Sequence, residues 1–143
     1  MSDIRRVTDD FSVSPQISTA DIADLPRLGF RNLINNRPDG ETADQPPSEE
    51  VRVLAEAAGL TYIHAPFVGP PTPEAVAAVS SCAQGTGATL AYCRSGTRSV
   101  TAWALAEGVS GRLEAETIVG YAAQAGYDLS TMVAYLRGLR SRA

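Results

Sequence analysis

Lysine is absent: all 12 basic residues are arginine. No side chain is therefore available for Schiff-base chemistry. A nucleotide-binding loop of the Walker type, which needs a lysine on the phosphates, is likewise excluded. Histidine occurs once, at His64, so the chain alone cannot build a multi-histidine zinc site. Two cysteines, Cys82 and Cys93, are too few for a metal cage and are expected to be reduced in a cytosolic chain. No apolar run approaches the roughly 18–20 residues of a membrane span. The start, Met1-Ser2-Asp3-Ile4-Arg5-Arg6, lacks the hydrophobic stretch of a secretory signal, which makes the cytoplasm the expected compartment. A net charge of −4 gives the surface no general attraction for nucleic acid or an anionic membrane. What remains is chemistry run by cysteine, hydroxyl, carboxylate or guanidinium, with no metal or cofactor expected.

The 143 residues suffice for one domain with a real core, and no repeat, charge block or internal boundary divides them. Strand and helix signals alternate. Phe11 to Ile17 reads as a strand, and Ser18 as the N-cap of a helix to about Leu28 whose last turn Pro26 distorts. Gly29 stops it, and Phe30 to Asn35 is a second strand. Asn36 to Pro46 forms a long polar loop. Ser48-Glu49-Glu50 caps the next helix, whose apolar face is Val51, Leu54, Ala55 and Ala58. Leu60 to Ala65 is a third strand, followed by a stiff loop from Pro66 to Pro71. Thr72-Pro73-Glu74 opens a helix ending near Gly85 or Gly87. Ala88-Thr89-Leu90-Ala91-Tyr92 is nearly all apolar, as a central parallel strand should be. Helical patterns follow from Ser99 to Ala106, Glu114 to Ala125 and Leu129 to Leu139. The expected class is α/β, with a mostly parallel sheet and a helical C-terminus.

The chemistry concentrates after the central strand, in Cys93-Arg94-Ser95-Gly96-Thr97-Arg98-Ser99. Ligands of open α/β sheets bind outside the carboxyl ends of strands. There the backbone amides of Arg94, Ser95, Gly96, Thr97 and Ser99 can form an anion cradle at a helix N-terminus, closed by the guanidinium of Arg98. The same surroundings favour a thiolate at Cys93. Cys82 reads as a small core residue or, less simply, a resolving thiol. His64 reads as a structural histidine. Trp103, Tyr121, Tyr127 and Tyr135 fall at helical spacings and read as core or partner surface.

C-R-S-G-T-R-S resembles the active-site loop of single-domain rhodaneses and, less closely, that of cysteine-dependent phosphatases. From about Ile4 to Leu105 the chain resembles the beta-lactamase-hydrolase-like protein, phosphatase-like domain family. Three segments carry this resemblance: Asp9-Asp10-Phe11-Ser12-Val13-Ser14-Pro15-Gln16-Ile17, Ile34-Asn35-Asn36-Arg37-Pro38-Asp39-Gly40-Glu41 and the cysteine loop. It implies a three-layer phosphatase-like fold with a central four-stranded parallel sheet. It also implies that the loop of Arg37 and Asp39 lies near the active-site rim, Arg37 helping to bind an anion and Asp39 acting as a general acid. The alternative is that Pro38-Asp39-Gly40 is only a polar turn.

Spacing separates two reactions. Tyrosine-phosphatase-like loops place five residues between cysteine and arginine; here four, Arg94 to Thr97, separate Cys93 from Arg98. The smaller ring suits a terminal persulfide sulfur better than three phosphoryl oxygens. A phosphatase must also protonate its leaving group, and between Asp44 and Asp128 there is no aspartate to do so. The expected activity is a rhodanese-type sulfurtransferase carrying a Cys93 persulfide between a small sulfur donor, such as thiosulfate, and a thiol acceptor. The alternatives are a cysteine-dependent phosphatase acting on a phosphoester and a non-catalytic anion-binding module.

Overall fold

The computed structural model describes residues 3–142. Among these residues five strands form one sheet: β1 (Arg5–Thr8), β2 (Phe11–Ser14), β3 (Phe30–Asn35), β4 (Thr61–His64) and β5 (Ala88–Tyr92), in the order β1-β2-β5-β3-β4. β2, β5, β3 and β4 run parallel, and β1 adds an antiparallel edge through a tight hairpin to β2. The expected four-stranded parallel sheet is thus present with one strand more. Arg5-Arg6-Val7-Thr8 carries a single buried apolar residue, Val7, too little alternation to announce an edge strand. The first parallel strand ends at Ser14, short of Ile17.

Side-chain alternation sorts the core onto two faces. Val13, Ile34 and Ala91 pack with α3 (Pro73–Gln84), α4 (Thr97–Ser110), α5 (Ala115–Gln124) and α6 (Val133–Ser141). Leu33, Leu90 and Tyr92 point the other way, onto α1 (Thr19–Ile22) and α2 (Ser48–Ala57). The result is three layers, helix–sheet–helix. Among the described residues no helix is long and apolar enough to cross a membrane.

Several boundaries differ from expectation for local reasons. The helix read from Ser18 to Leu28 breaks into α1, capped by the Ser18 hydroxyl accepting Asp21 N–H, and a 3₁₀ turn at Pro26–Leu28. Pro26 has no N–H to continue an α-helical ladder. Gly29, at φ +100°, then reverses the chain into β3. In α2, Val51 and Ala55 are buried, whereas Leu54 is exposed and Ala58 half-buried. The last expected helix begins later than Leu129, as a 3₁₀ turn at Ser130–Met132 leading into α6.

Candidate active site

β5 lies between β2 and β3, and the chain turns at its carboxyl end into the cysteine loop. Two parallel neighbours seat that loop. Cys93 N–H donates to Ser14 O at 3.4 Å, and Asn36 N–H donates to Tyr92 O at 2.8 Å. Below it, a buried relay ties three elements together. Ser99 Oγ donates to Asn36 Oδ1 at 2.8 Å, and Asn36 Nδ2 donates to Ala65 O at 3.0 Å.

Within the loop, Gly96 N–H donates to Cys93 Sγ at 3.1 Å, and Cys93 is completely buried. The carbonyls point outward. Arg94 O accepts Gln16 N–H at 3.4 Å, Gly96 O accepts Val100 N–H at 3.0 Å, and Thr97 O accepts the Thr101 hydroxyl at 2.7 Å. Ser95 O accepts the Tyr127 hydroxyl at 3.0 Å. Gly96 makes this turn feasible. Its φ is +95°, and a Cβ there would lie 2.0 Å from the Tyr127 oxygen. α4 starts at the next residue, so the positive end of its dipole adjoins the loop.

Arg98, one-fifth exposed, is clamped rather than free. Its Nη1 and Nη2 donate to Glu41 Oε2 and Oε1, both at 2.8 Å, and Nη1 also reaches Phe67 O at 3.2 Å. Glu41 takes a third bond from Arg37 Nε at 2.9 Å. Arg37 is buried and spends its remaining nitrogens on Gln16 Oε1 and Thr42 Oγ1. The Arg98 bond above all, reinforced by Arg37 and opposed by burial, lowers the Glu41 carboxyl to about 2. Its bond to Glu41 and the nearby Cys93 sulfur raise Arg98 above the usual guanidinium value.

The remaining sequence candidates divide. Arg94 is exposed at the rim, and the Ser95 and Thr97 hydroxyls, also exposed, bond each other at 3.1 Å. The Ser99 hydroxyl is committed to Asn36. Arg37 meets Glu41 rather than the ring itself. Asp39 is exposed and its Oδ1 accepts Ser48 N–H at 2.7 Å. It thereby does the capping that the sequence reading gave to Ser48, which is instead the first residue of α2. His64 Nε2 contacts Arg37 O at 2.9 Å, a structural role. Cys82 belongs elsewhere. It lines a cavity of about 520 Å³ with Phe11, Thr89 and Trp103 at the amino ends of the strands. Thr89 and Cys93 are four residues apart on one chain direction, about 13 Å along a strand, so the two thiols do not meet.

Two residues were missed. Glu41 ends the segment from Ile34 that carries the family resemblance, and its spacing of four from Arg37 is the available signal. Tyr127 reads from the sequence as an aromatic at helical spacing, and nothing local marks it as a neighbour of residue 95.

A three-layer fold with a buried cysteine leading from its central strand into a short loop that ends at an arginine places this protein in the phosphatase-like α/β class. The chain belongs to the family described as "Beta-lactamase hydrolase-like protein, phosphatase-like domain", which matches residues 3–110. Beta-lactamase hydrolase-like proteins of Xylella fastidiosa (strain Temecula1) and Agrobacterium fabrum (strain C58) are 32% and 33% identical over 133 residues, 92% of this chain. The chain spans 31% of the length of each of these curated relatives. A phosphatase candidate from Neisseria meningitidis Z2491 superimposes with a TM-score of 0.77 at 28% identity, covering 96% of this chain and 99% of that one. TpbA of P. aeruginosa gives 0.66 at 18% identity, over 99% and 90% of the two chains, and shares the fold. The family's description and the name of the Neisseria relative favour the phosphatase alternative over sulfur transfer.

Proposed function

We propose that this domain is a cysteine-nucleophile transferase of the rhodanese type. The observation that carries the reading is that the carboxylates of the Arg37–Asp44 loop are all hydrogen-bonded to partners of their own. Glu41, the one hydrogen-bonded to Arg98, is lowered to about 2 and stays ionised at neutral pH. Asp44 accepts the Thr42 hydroxyl at 2.7 Å, and this bond lowers its carboxyl as well. Asp39 is engaged at the start of α2. An alkoxide leaving from a phosphoester needs a proton from such a group. Sulfite leaving from thiosulfate needs none.

In this reading the Cys93 thiolate attacks the sulfane sulfur of thiosulfate. A new S–S bond forms, and the bond to the sulfonate sulfur breaks with its electron pair leaving on sulfite. The resulting Cys93–S–S⁻ sits among the loop amides, with Gly96 N–H already directed at Cys93. An acceptor thiolate then attacks the outer sulfur and returns Cys93 as a thiolate. Phosphoester hydrolysis through a phosphocysteine is the second reading, supported by the family's description and by the Neisseria relative.

Intact mass after incubation with thiosulfate separates the two. Sulfur transfer gives the wild type one added sulfur atom and gives Cys93→Ser none. An unmodified wild type that hydrolyses p-nitrophenyl phosphate, with hydrolysis lost in Cys93→Ser, refutes sulfur transfer in favour of the phosphatase.

A further inference from the structure

We propose that Tyr127 is a positioning residue of the cysteine ring: by holding the Ser95 carbonyl outward, it aims the Gly96 amide at the Cys93 sulfur. The inference rests on Cys93 being the reactive group, and it adds a residue outside the family-matched segment 3–110.

The geometry is that of one peptide plane. Ser95 C=O and Gly96 N–H are the two ends of the same trans amide and point in opposite directions. The carbonyl end accepts the Tyr127 hydroxyl at 3.0 Å, and the amide end donates to Cys93 Sγ at 3.1 Å. Fixing either end fixes the other. The other outward carbonyls of the ring are held by partners that cannot easily leave. Arg94 O is held by the backbone of Gln16, Gly96 O by the α4 ladder, and Thr97 O by Thr101 one turn along. Ser95 O alone relies on a side chain from a distant element, 32 residues on. It also adjoins glycine, the residue whose freedom at positive φ makes rotation of this plane cheapest.

Tyr127 is itself held in place. The Arg5 guanidinium lies 5.5 Å from its ring centroid and donates to Ala125 O at 3.2 Å. Asp3 in turn anchors Arg5. Gly96 packs so closely beneath the phenol that any Cβ would collide with the hydroxyl. Burial above all, with the Cys93 charge adding to it and Arg5 opposing, raises the phenol above its ordinary value, so it remains a hydrogen-bond donor at neutral pH. The groups electrostatically facing this pair are therefore Arg98, Arg5 and Asp3.

Tyr127→Phe keeps the packed ring and deletes only the donor. The ultraviolet absorbance of the Cys93 thiolate, followed against pH in a Cys82→Ser background, should appear about one pH unit higher than with Tyr127 present, because a hydrogen bond to a charged acceptor is weakened. Iodoacetamide alkylation at neutral pH should slow several-fold in parallel, and Gly96 amide exchange should accelerate. Tyr135→Phe, at an exposed site on α6, should leave all three unchanged. A Tyr127→Phe thiolate that titrates with the parent overturns the proposal, and a lowered melting temperature with unchanged titration does the same. The readout needs no sulfur donor or phosphoester, so its outcome is distinct from that of the thiosulfate experiment.

Discussion

Glu41→Gln removes one negative charge from the point where two guanidinium groups converge, at nearly constant volume. The native carboxylate accepts from Arg37 Nε at 2.9 Å and from both terminal nitrogens of Arg98 at 2.8 Å. Arg37 has 4% of its side chain exposed and cannot recover hydration when its partner is neutralised. Removing one member of a fully buried ion pair costs about 3–5 kcal/mol; with Glu41 23% and Arg98 20% exposed, solvent screening reduces this to about 2–3 kcal/mol. Proton linkage gives an independent bound. A carboxyl lowered from 4.5 to about 2, at about 1.4 kcal/mol per unit, stores at most about 3.5 kcal/mol before screening. Because the folded value is depressed, that contribution is complete above the unfolded value near 4.5 and is lost as pH falls toward about 2. Urea unfolding of the two proteins at neutral pH and near pH ~3 measures both effects. The variant should be less stable at neutral pH, and the gap should narrow on acidification because only the wild type loses a carboxylate. Coincident urea midpoints at neutral pH, or a gap that persists unchanged in acid, would refute this account of the arginine clamp.

Other perturbations follow from the same contacts. Asp39→Ala deletes the acceptor of Ser48 N–H and should cost about 1 kcal/mol in urea unfolding, whereas Asp39→Asn, which keeps an amide oxygen, should cost a few tenths. Should Asp39→Asn instead abolish phosphoester turnover while leaving stability intact, the carboxyl has a chemical role and the second functional reading gains. Thr72→Ala removes the hydroxyl that accepts Ala75 N–H at the start of α3 and should destabilise by about 1 kcal/mol in thermal or urea melts. Mild oxidation should leave the protein without an internal disulfide; a non-reducing peptide map showing Cys82 joined to Cys93 would contradict the placement of the two thiols at opposite ends of the sheet.

Which features could be read before folding depends on the range of the interactions that make them. β3 and β5 carry their apolar residues in short runs between glycine or proline boundaries, and the structure places them at Phe30–Asn35 and Ala88–Tyr92 as read. Thr72-Pro73 marks the start of α3, where a capping hydroxyl and a preset φ act within one turn. The cysteine loop was legible for the same reason: Cys93, Gly96 and Arg98 are neighbours in the chain, and the amide that reaches the sulfur lies three residues away.

The partners that set the loop's electrostatics are not neighbours. Glu41 reaches Arg98 across 57 residues, and Tyr127 reaches Ser95 across 32. These contacts exist because the parallel order β2-β5-β3 gathers three loops at the carboxyl end of the sheet and because α5 packs back beside it. Local periodicity reports which face of an element is apolar. It carries no information on which loops meet when the layers close. From its residues alone the chain therefore specified an α/β layering and a cysteine at the end of its central strand. Only the packed structure decided that Arg98 is paired with Glu41, that Asp39 caps a helix, and that a tyrosine from the C-terminal segment bonds the Ser95 carbonyl.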